Sequence, residues 1–236
     1  MNNPTYVLIP GAWHGAWSWQ PVATRLRRAG YEAIALTLPG LAHGDDPSGH
    51  RLEDAVAYIV DEVTRRELTD VVLVAHSWGG YPCTGAAHLL ADRVSKAVFF
   101  NGLLPTRGKS LVEDNSDEQR EIMMRLISDS PSGAIAPALE FVEQLFMPGA
   151  ARELQRLVAD LLTPQPGGYF LDVLDAPDVT TLGIATAYIL SEQNHANPRS
   201  GDAFAAQLGV KPILVPGTHE SMLTHPDEAA NAILAA

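Results

Sequence analysis

The stretch VVLVAHSWGGYP (Val71–Pro82) decides the fold of this chain. Five apolar residues lead into a histidine, a serine and a tryptophan, and two glycines follow. A short apolar run rich in β-branched residues is typical of a buried strand, and the glycines indicate a sharp turn. The stretch therefore predicts a strand that ends by exposing the hydroxyl of Ser77, followed by a helix from about residue 80 to 91.

Apolar runs on both sides of this stretch alternate with helical patterns. We predict further strands at residues 5–10, 32–38, 95–101, 185–193 and 211–217. The helices are predicted at residues 19–29, 51–66 and 202–207, with a closing helix from Pro226. Strands that alternate with helices indicate crossover connections. The fold class is therefore α/β, with a mostly parallel sheet of about six strands flanked by helices.

The pattern changes between residues 106 and 182. Three short helical patterns, broken by prolines, occupy this segment, and no convincing strand is found among them. We expect residues 1–105 and 183–236 to form the core and residues 106–182 to form a helical lid over the carboxyl ends of the strands. A second packing layer without a binding role is the alternative.

Bulk composition limits the partners and the surroundings. The chain has 236 residues, enough for one domain, and a formal net charge of −12, which argues against nucleic acid or an anionic membrane surface as partner. The N-terminus lacks the pattern of a signal peptide, and no apolar run reaches the roughly 18 residues of a membrane span. The single Cys83 fits a reducing compartment, so we expect a cytoplasmic protein.

Ser77 is the candidate nucleophile. The residues around it, Ala75-His76-Ser77-Trp78-Gly79, follow the G-x-S-x-G pattern of a nucleophile elbow, with alanine in place of the first glycine. A serine hydroxyl needs a base, and His219 follows the last predicted strand at the same edge of the sheet. The other histidines are interpreted as helix-capping (His225), as lining the site entrance (His14), or as loop and surface residues.

An acyl-transfer site also needs donors for the oxyanion. The backbone N–H of Trp78 follows the serine, and the loop after the first strand, PGAWHGAW (residues 10–17), is rich in small residues. Ala12 is the expected second donor. Gly11, Trp13 and His14 are candidate substrate-pocket residues, and the tryptophan-rich loops favour a cavity that accepts a ring, although Trp17 and Trp19 fit the core equally well.

The sequence resembles the α/β-hydrolase fold superfamily, and within it the small plant-type branch of methyl-ester esterases and hydroxynitrile lyases. The resemblance covers nearly the whole chain except the lid. It rests on VLIPGAWHGAWSW, LTLPGLAHGDDP, VVLVAHSWGG, AVFFNGLLP, AYILSEQNHANP and PGTHESMLTHP. It implies Ser77 as nucleophile, His219 as base, Ala12 and Trp78 as oxyanion donors, a small apolar cavity under the lid, and no cofactor or metal. Small members of this branch are often dimers, so a homodimer stays open.

Two positions bear on the choice between hydrolase and lyase. The lyases of this branch carry a lysine directly after the catalytic histidine and a threonine in the oxyanion loop. This sequence has Glu220 and Gly11 at those places. The resemblance therefore favours an esterase over cyanohydrin cleavage.

The acid that normally orients the base is missing. The family's acid position is occupied by Asn194, and the place that some relatives use instead is Asn101. In serine proteases, exchanging the acid for asparagine lowers turnover about 10⁴-fold, or roughly 5.5 kcal/mol of barrier. Three interpretations stay open: Asn194 orients His219 at a modest rate, Glu192 or Glu220 substitutes for the acid, or the chemistry needs no strong imidazolium.

Three functions follow from these residues. The first is a cofactor-free serine esterase acting on a small apolar, aromatic ester or related acyl compound. The second is a lyase, cyclase or decarboxylase on the same scaffold, with His219 as base on a carbon acid or phenol. The third is a small-molecule receptor that closes its lid around a ligand.

Overall fold

A computed structural model describes residues 3–236 and confirms the parallel sheet. Its strands are β1 (Thr5–Ile9), β2 (Glu32–Ala35), β3 (Val71–His76), β4 (Val94–Phe100), β7 (Ala185–Ser191) and β8 (Ile213–Val215). They lie in the order β2-β1-β3-β4-β7-β8, and every neighbouring pair is parallel. All six carboxyl ends therefore meet at one edge of the sheet.

Helices cover both faces of this sheet. One face is covered by α1 (Gln20–Arg28) and α11 (Pro226–Ala235), and the other by α2 (Leu52–Arg65), α3 (Gly80–Leu89) and α9 (Gly201–Gln207). Because side chains alternate along a strand, Leu8 of β1 packs on the first face and Ile9 on the second. Both residues are fully buried, and the two apolar clusters hold the sheet between the helical layers.

Some strand boundaries differ from the prediction. β2 ends at Ala35 and not at Leu38, because its register with β1 reaches Ala35 opposite Leu8, and β1 ends at Ile9. β3 extends through His76, and β4 runs from Val94 to Phe100, one residue earlier than predicted. None of these shifts moves the end of a strand away from the expected edge.

The segment between β4 and β7 is mainly helical. Its elements are α4 (Leu111–Asp114), α5 (Asp117–Asp129), α6 (Leu139–Phe141), a π-helical turn (Val142–Phe146), α7 (Arg152–Leu161) and α8 (Gly168–Leu171). The expectation of no strand here was wrong: β5 (Ala134–Ile135) pairs antiparallel with β6 (Gln165–Pro166). Two-residue strands are too short to leave a periodic pattern in the sequence.

Three further short elements lie near the candidate site. Ala16–Trp19 and Ser77–Gly79 form 3₁₀ turns after β1 and β3, and α10 (Ser221–Thr224) follows β8. In the part of the chain that the structure describes, no helix is both long enough and apolar enough to cross a bilayer.

Candidate active site

Ser77 lies on a strained turn at the end of β3. Its φ is +50°, a left-handed conformation that non-glycine residues rarely adopt. A Cβ on Gly79 would lie 2.4 Å from the carbonyl oxygen of Pro10, and one on Gly80 would lie 1.9 Å from that of Leu103. The turn therefore has no room for side chains at these two positions, and Ser77 is held at the carboxyl edge of the sheet as a nucleophile elbow requires.

His219 is oriented by Asn194. The imidazole Nδ1 lies 3.0 Å from Asn194 Oδ1, and the same oxygen accepts a hydrogen bond from the backbone N–H of Ala196 at 3.1 Å. The Ala196 bond identifies this amide atom as the oxygen, so His219 Nδ1 must be the donor. The lone pair of His219 is therefore on Nε2, the tautomer that a general base needs.

The backbone of His219 is held separately from its ring. Its carbonyl oxygen accepts hydrogen bonds from His76 Nε2 and from Asn101 Nδ2, both at 3.1 Å. Asn101 also bonds Ser191 through both ends of its amide. Asn101 therefore anchors the loop that carries His219 and does not contact the imidazole. The anchoring role of His76 was missed, since nothing in the sequence signals it.

The expected oxyanion donors are free. Among residues 3–236, no backbone hydrogen bond occupies the N–H groups of Ala12 or Trp78. The next N–H along the loop, that of Trp13, donates to Gln165 Oε1 at 2.7 Å. This bond ties the loop after β1 to β6 of the lid segment.

Ser77 and His219 share a small cavity of about 170 Å³ with Ala12, Trp13 and Trp78. The rest of the lining is almost entirely apolar: Leu103, Leu111, Asn115, Met123, Phe141, Leu145, Phe146, Phe170, Ala196 and Pro198. Trp13 packs against Phe141, Phe146 and Phe170 with ring centroids 5.7–6.0 Å apart. The lid phenylalanines were missed in the sequence, because a helical pattern does not show which residues face a site.

The segment between β4 and β7 also covers the imidazole of His219. The ring of Phe146 stacks on the imidazole of His219, with centroids 5.5 Å apart. No hydrogen bond joins Ser77 to His219 within the described part of the chain; in ligand-free enzymes the hydrogen bonds between catalytic groups are often long or poorly aligned.

Several predicted site residues lie outside the cavity. His14 does not line an entrance: it is only 1% exposed, and its Nδ1 is drawn to the carbonyl oxygen of Ala12 at 2.6 Å. Gly11 lies behind the residues that line the cavity, and a Cβ at this position would come within 2.8 Å of His76 Nδ1. Trp19 is a core residue, and Trp17 stacks on His14.

The two alternative acids are not partners of His219. Glu192 is exposed and forms no hydrogen bond to His219 in the described chain. Glu220 is fully buried, and its carboxyl group points towards His14. The neutral Asn194 therefore occupies the position opposite His219 Nδ1.

Burial without a carboxylate disfavours a charged base. Desolvation, reinforced by the nearby His14, lowers the pKa of His219 from 6.5 to about 3. Burial likewise lowers the pKa of His14 to about 4. Both rings are neutral near pH 7, so His219 is ready to accept a proton but holds it weakly.

A metal ion would compete with this arrangement. In residues 3–236, one group of three buried side chains, His76, His219 and Glu220, places potential ligand atoms within 4.8 Å of one another. His219 Nδ1 is hydrogen-bonded to Asn194, and Nε2 carries the lone pair that would accept a proton. A cation bound through either nitrogen would remove one of these two features.

The sequence also matches a known family over nearly its whole length. The family model described as "Alpha/beta hydrolase family" matches residues 6–232. The chain belongs to the alpha/beta hydrolase family. The expected fold class is thereby confirmed.

Named relatives of this alpha/beta hydrolase include esterases. A carbendazim hydrolyzing esterase from Nocardioides sp. is 35% identical over 109 residues, which cover 45% of each chain and so less than half of that enzyme. Methylesterase 18 from Arabidopsis thaliana is 28% identical over 218 residues, covering 83% of this chain and 81% of that one. These names support esterase-type activity and confirm the resemblance to methyl-ester esterases.

A solved structure supports the fold. An extracellular alpha/beta-hydrolase from a Paenibacillus species, described as homologous to tobacco salicylic acid binding protein 2, superposes with a TM-score of 0.92. It is 24% identical and the match covers 99% of both chains. At this identity the likeness concerns the fold alone.

Proposed function

We propose that this alpha/beta hydrolase is a serine esterase that cleaves a small apolar, preferentially aromatic, ester. The observation that carries the proposal is the joint placement of Ser77 and His219 on one cavity: the serine on its left-handed turn, the histidine with a free Nε2. The aromatic lining from Trp13 and the lid phenylalanines supports a ring-bearing substrate.

The reaction would proceed in two halves. Ser77 Oγ attacks the ester carbonyl carbon while His219 Nε2 takes the hydroxyl proton, and the Ala12 and Trp78 N–H groups stabilise the oxyanion. The C–O bond to the alcohol then breaks, His219 returns the proton to the alcohol, and an acyl-serine is left. Water attacks the acyl-serine with His219 again as base, which releases the acid and restores Ser77.

Gly11 supports hydrolysis over the lyase alternative. A side chain at this position would meet the ring of the buried His76 at 2.8 Å and the Cβ of Ser77 at 3.1 Å. A threonine hydroxyl, as in the lyases of this branch, therefore has no room behind the elbow without a shift of His76.

The direct test is covalent labelling with a fluorophosphonate followed by intact-mass analysis. We expect one adduct on the wild type and none on Ser77→Ala, together with turnover of methyl esters of small aromatic acids by the wild type alone. Ser95→Ala, on the exposed serine of β4, is the control. Hydrolysis that survives Ser77→Ala would contradict the nucleophile assignment.

A second candidate, proton abstraction from a carbon acid, follows from the neutral Asn194. His219 has no carboxylate to form an ion pair with when it is protonated. Such a base suits a reaction in which it takes a proton from the substrate and soon returns that proton to the product. Product analysis distinguishes the two: a rearranged or decarboxylated product that persists in Ser77→Ala would favour this candidate, whereas acid and alcohol in equal amounts favour the esterase.

A further inference from the structure

Behind the cavity, the loop that carries Ala12 meets the loop that carries His219. The contact is made by His14 and Glu220, whose Nε2 and Oε1 atoms lie 3.4 Å apart. Both side chains are buried, with exposed fractions of 1% and 0%. A carboxyl group at this depth must be paired or neutral, since an unpaired buried charge is costly.

The protons around this contact can be counted. The carbonyl oxygen of Ala12 only accepts, so the proton of a neutral His14 ring is on Nδ1 and its Nε2 is a bare acceptor. His76 likewise donates through Nε2 to the His219 carbonyl, which leaves its Nδ1 bare. Within residues 3–236, neither oxygen of Glu220 has a hydrogen-bond partner. Two facing acceptors attract each other only if a proton lies between them.

That proton is on Glu220. The titratable groups that face Glu220 are His14 on the loop after β1, His76 at the end of β3 and His219 on its own loop. Burial raises the pKa of Glu220 to about 8 and lowers that of His14 to about 4. Near pH 7 the carboxyl group is therefore neutral, which makes it a donor for the bare Nε2 of His14 at 3.4 Å.

We propose that Glu220 is a positioning residue: as a neutral acid it donates a hydrogen bond to His14, and this bond fixes the oxyanion loop to the loop that carries the base. The chain runs from Glu220 O–H to His14 Nε2, and from His14 Nδ1–H to the carbonyl of Ala12. The proposal rests on the proposed esterase function, since the N–H of Ala12 is the expected oxyanion donor.

Such a link has a direct chemical consequence. An oxyanion donor and a base act together only when their separation is held to about 0.5 Å. Ionisation of Glu220 would replace the donated hydrogen bond by two facing acceptors and loosen the link. The role assigned to Glu220 is thus opposite to that of a triad acid, which must be charged and must contact His219.

The test is the pH dependence of kcat and KM for wild type, Glu220→Gln and Glu220→Leu, with an ester that does not titrate. Glutamine keeps a neutral N–H donor at every pH, whereas leucine has none. We expect kcat of the wild type to fall above about pH 8. Glu220→Leu should lower kcat about tenfold at every pH with little change in KM. Glu220→Gln should recover most of that loss, and its kcat should not fall at alkaline pH.

Two outcomes would overturn the proposal. A wild-type kcat that rises as Glu220 ionises, with Gln as impaired as Leu, would make Glu220 a charged partner of the base. Activity of Glu220→Leu equal to that of the wild type would remove any positioning role. Glu192→Gln and Glu192→Leu, on the exposed carboxylate of the neighbouring loop, are the matched controls.

A second readout does not depend on esterase activity. In the unfolded chain a glutamate ionises near pH 4.5, whereas folded Glu220 does so near 8, so its stabilising contribution is present at low pH and lost between these values. The Tm of the wild type minus that of Glu220→Gln should therefore fall from pH 5 to pH 8. A rising difference would show that Glu220 is ionised in the folded protein. If fluorophosphonate labelling of Ser77 fails while this Tm difference falls as expected, only the esterase function is lost.

Discussion

At the scale of single residues, Asn194 orients the imidazole of His219 but supplies no charge to it. Asn194 Oδ1 holds His219 in the tautomer of a base at 3.0 Å, as a carboxylate would. It carries no negative charge that would stabilise an imidazolium, and burial lowers the pKa of His219 to about 3. Under the proposed esterase mechanism, the cost of charging His219 would therefore limit the rate.

Asn194→Asp should therefore raise ester turnover. The aspartate oxygen can accept the same two hydrogen bonds, from His219 Nδ1 and from the Ala196 N–H, and it adds the missing charge. We expect kcat to increase by at least tenfold, with about 10⁴-fold as the ceiling set by the reverse exchange in serine proteases. The acid limb of the kcat profile should move to higher pH as the pKa of His219 rises.

Asn101→Asp is the matched control for this prediction. Asn101 donates to the carbonyl of His219 and to Ser191 Oγ, so a carboxylate there would replace a donor by an acceptor and lower activity. An increase in kcat from Asn101→Asp, or no change from Asn194→Asp, would contradict the assigned roles of the two amides.

At the scale of elements, the turn between β3 and α3 is packed closely against the backbone of neighbouring segments. Gly80 begins α3 with φ −63°, a conformation that any residue adopts. It is glycine because the carbonyl oxygen of Leu103 lies 1.9 Å from the place of a Cβ. The N–H of Leu103 in turn donates to the carbonyl of Ser77 at 2.8 Å. The chain after β4 thus holds in place the turn that presents Ser77.

Gly80→Ala should destabilise the fold although alanine is the better helix former. Propensity alone would stabilise a helix by about 1 kcal/mol, but overpacking against a backbone atom costs typically about 1–3 kcal/mol and more when nothing can move. We expect a net loss of at least about 2 kcal/mol in the free energy of unfolding, measured by chemical denaturation, and a loss of Ser77 labelling.

Gly44→Ala provides the comparison. Gly44 has φ +90°, and nothing lies within 4 Å of its would-be Cβ, so alanine there pays only backbone strain of about 1–2 kcal/mol. Its effect on Ser77 labelling should be nil. Equal labelling of Gly80→Ala and Gly44→Ala would show that the elbow tolerates the shift.

At the scale of the whole molecule, the interior behind the site holds an unusual number of neutral titratable groups. His14, His76 and His219 are each no more than 2% exposed, and burial lowers the pKa of all three. Their folded-state pKa values lie below the unfolded value of 6.5. The stability that they contribute is present above pH 6.5 and lost as the pH falls towards the folded values.

We therefore expect early acid destabilisation. Each histidine should cost about 1 kcal/mol between pH 6.5 and 5.5, and the single Glu220, which acts in the opposite direction, offsets only part of this loss. The Tm should fall over this range and should be highest near pH 6.5. A Tm that stays constant from pH 6.5 down to pH 5 would contradict the buried, neutral state of these rings, and His43→Gln at the surface is the control.

The sequence by itself determined the sheet and the three residues at its edge. Apolar runs fix where strands form, and parallel strands bring their carboxyl ends to one side, so Ser77 after β3, Asn194 after β7 and His219 after β8 are brought together by connectivity alone. The glycine at position 79 was also predictable, because the G-x-S-x-G pattern places a glycine where two backbone segments come close together. These are local patterns combined with one topological rule.

Only the tertiary structure decided what surrounds those residues. The lid phenylalanines, the inward position of His14, the anchoring by His76 and the contact of Glu220 with His14 depend on side-chain directions in segments far apart in the chain. A one-residue rotation of a lid helix would exchange the residues that face the cavity, and the hydropathy of Glu220 gives no sign of burial. Such features are set by packing between distant segments, which a pattern along one chain does not record.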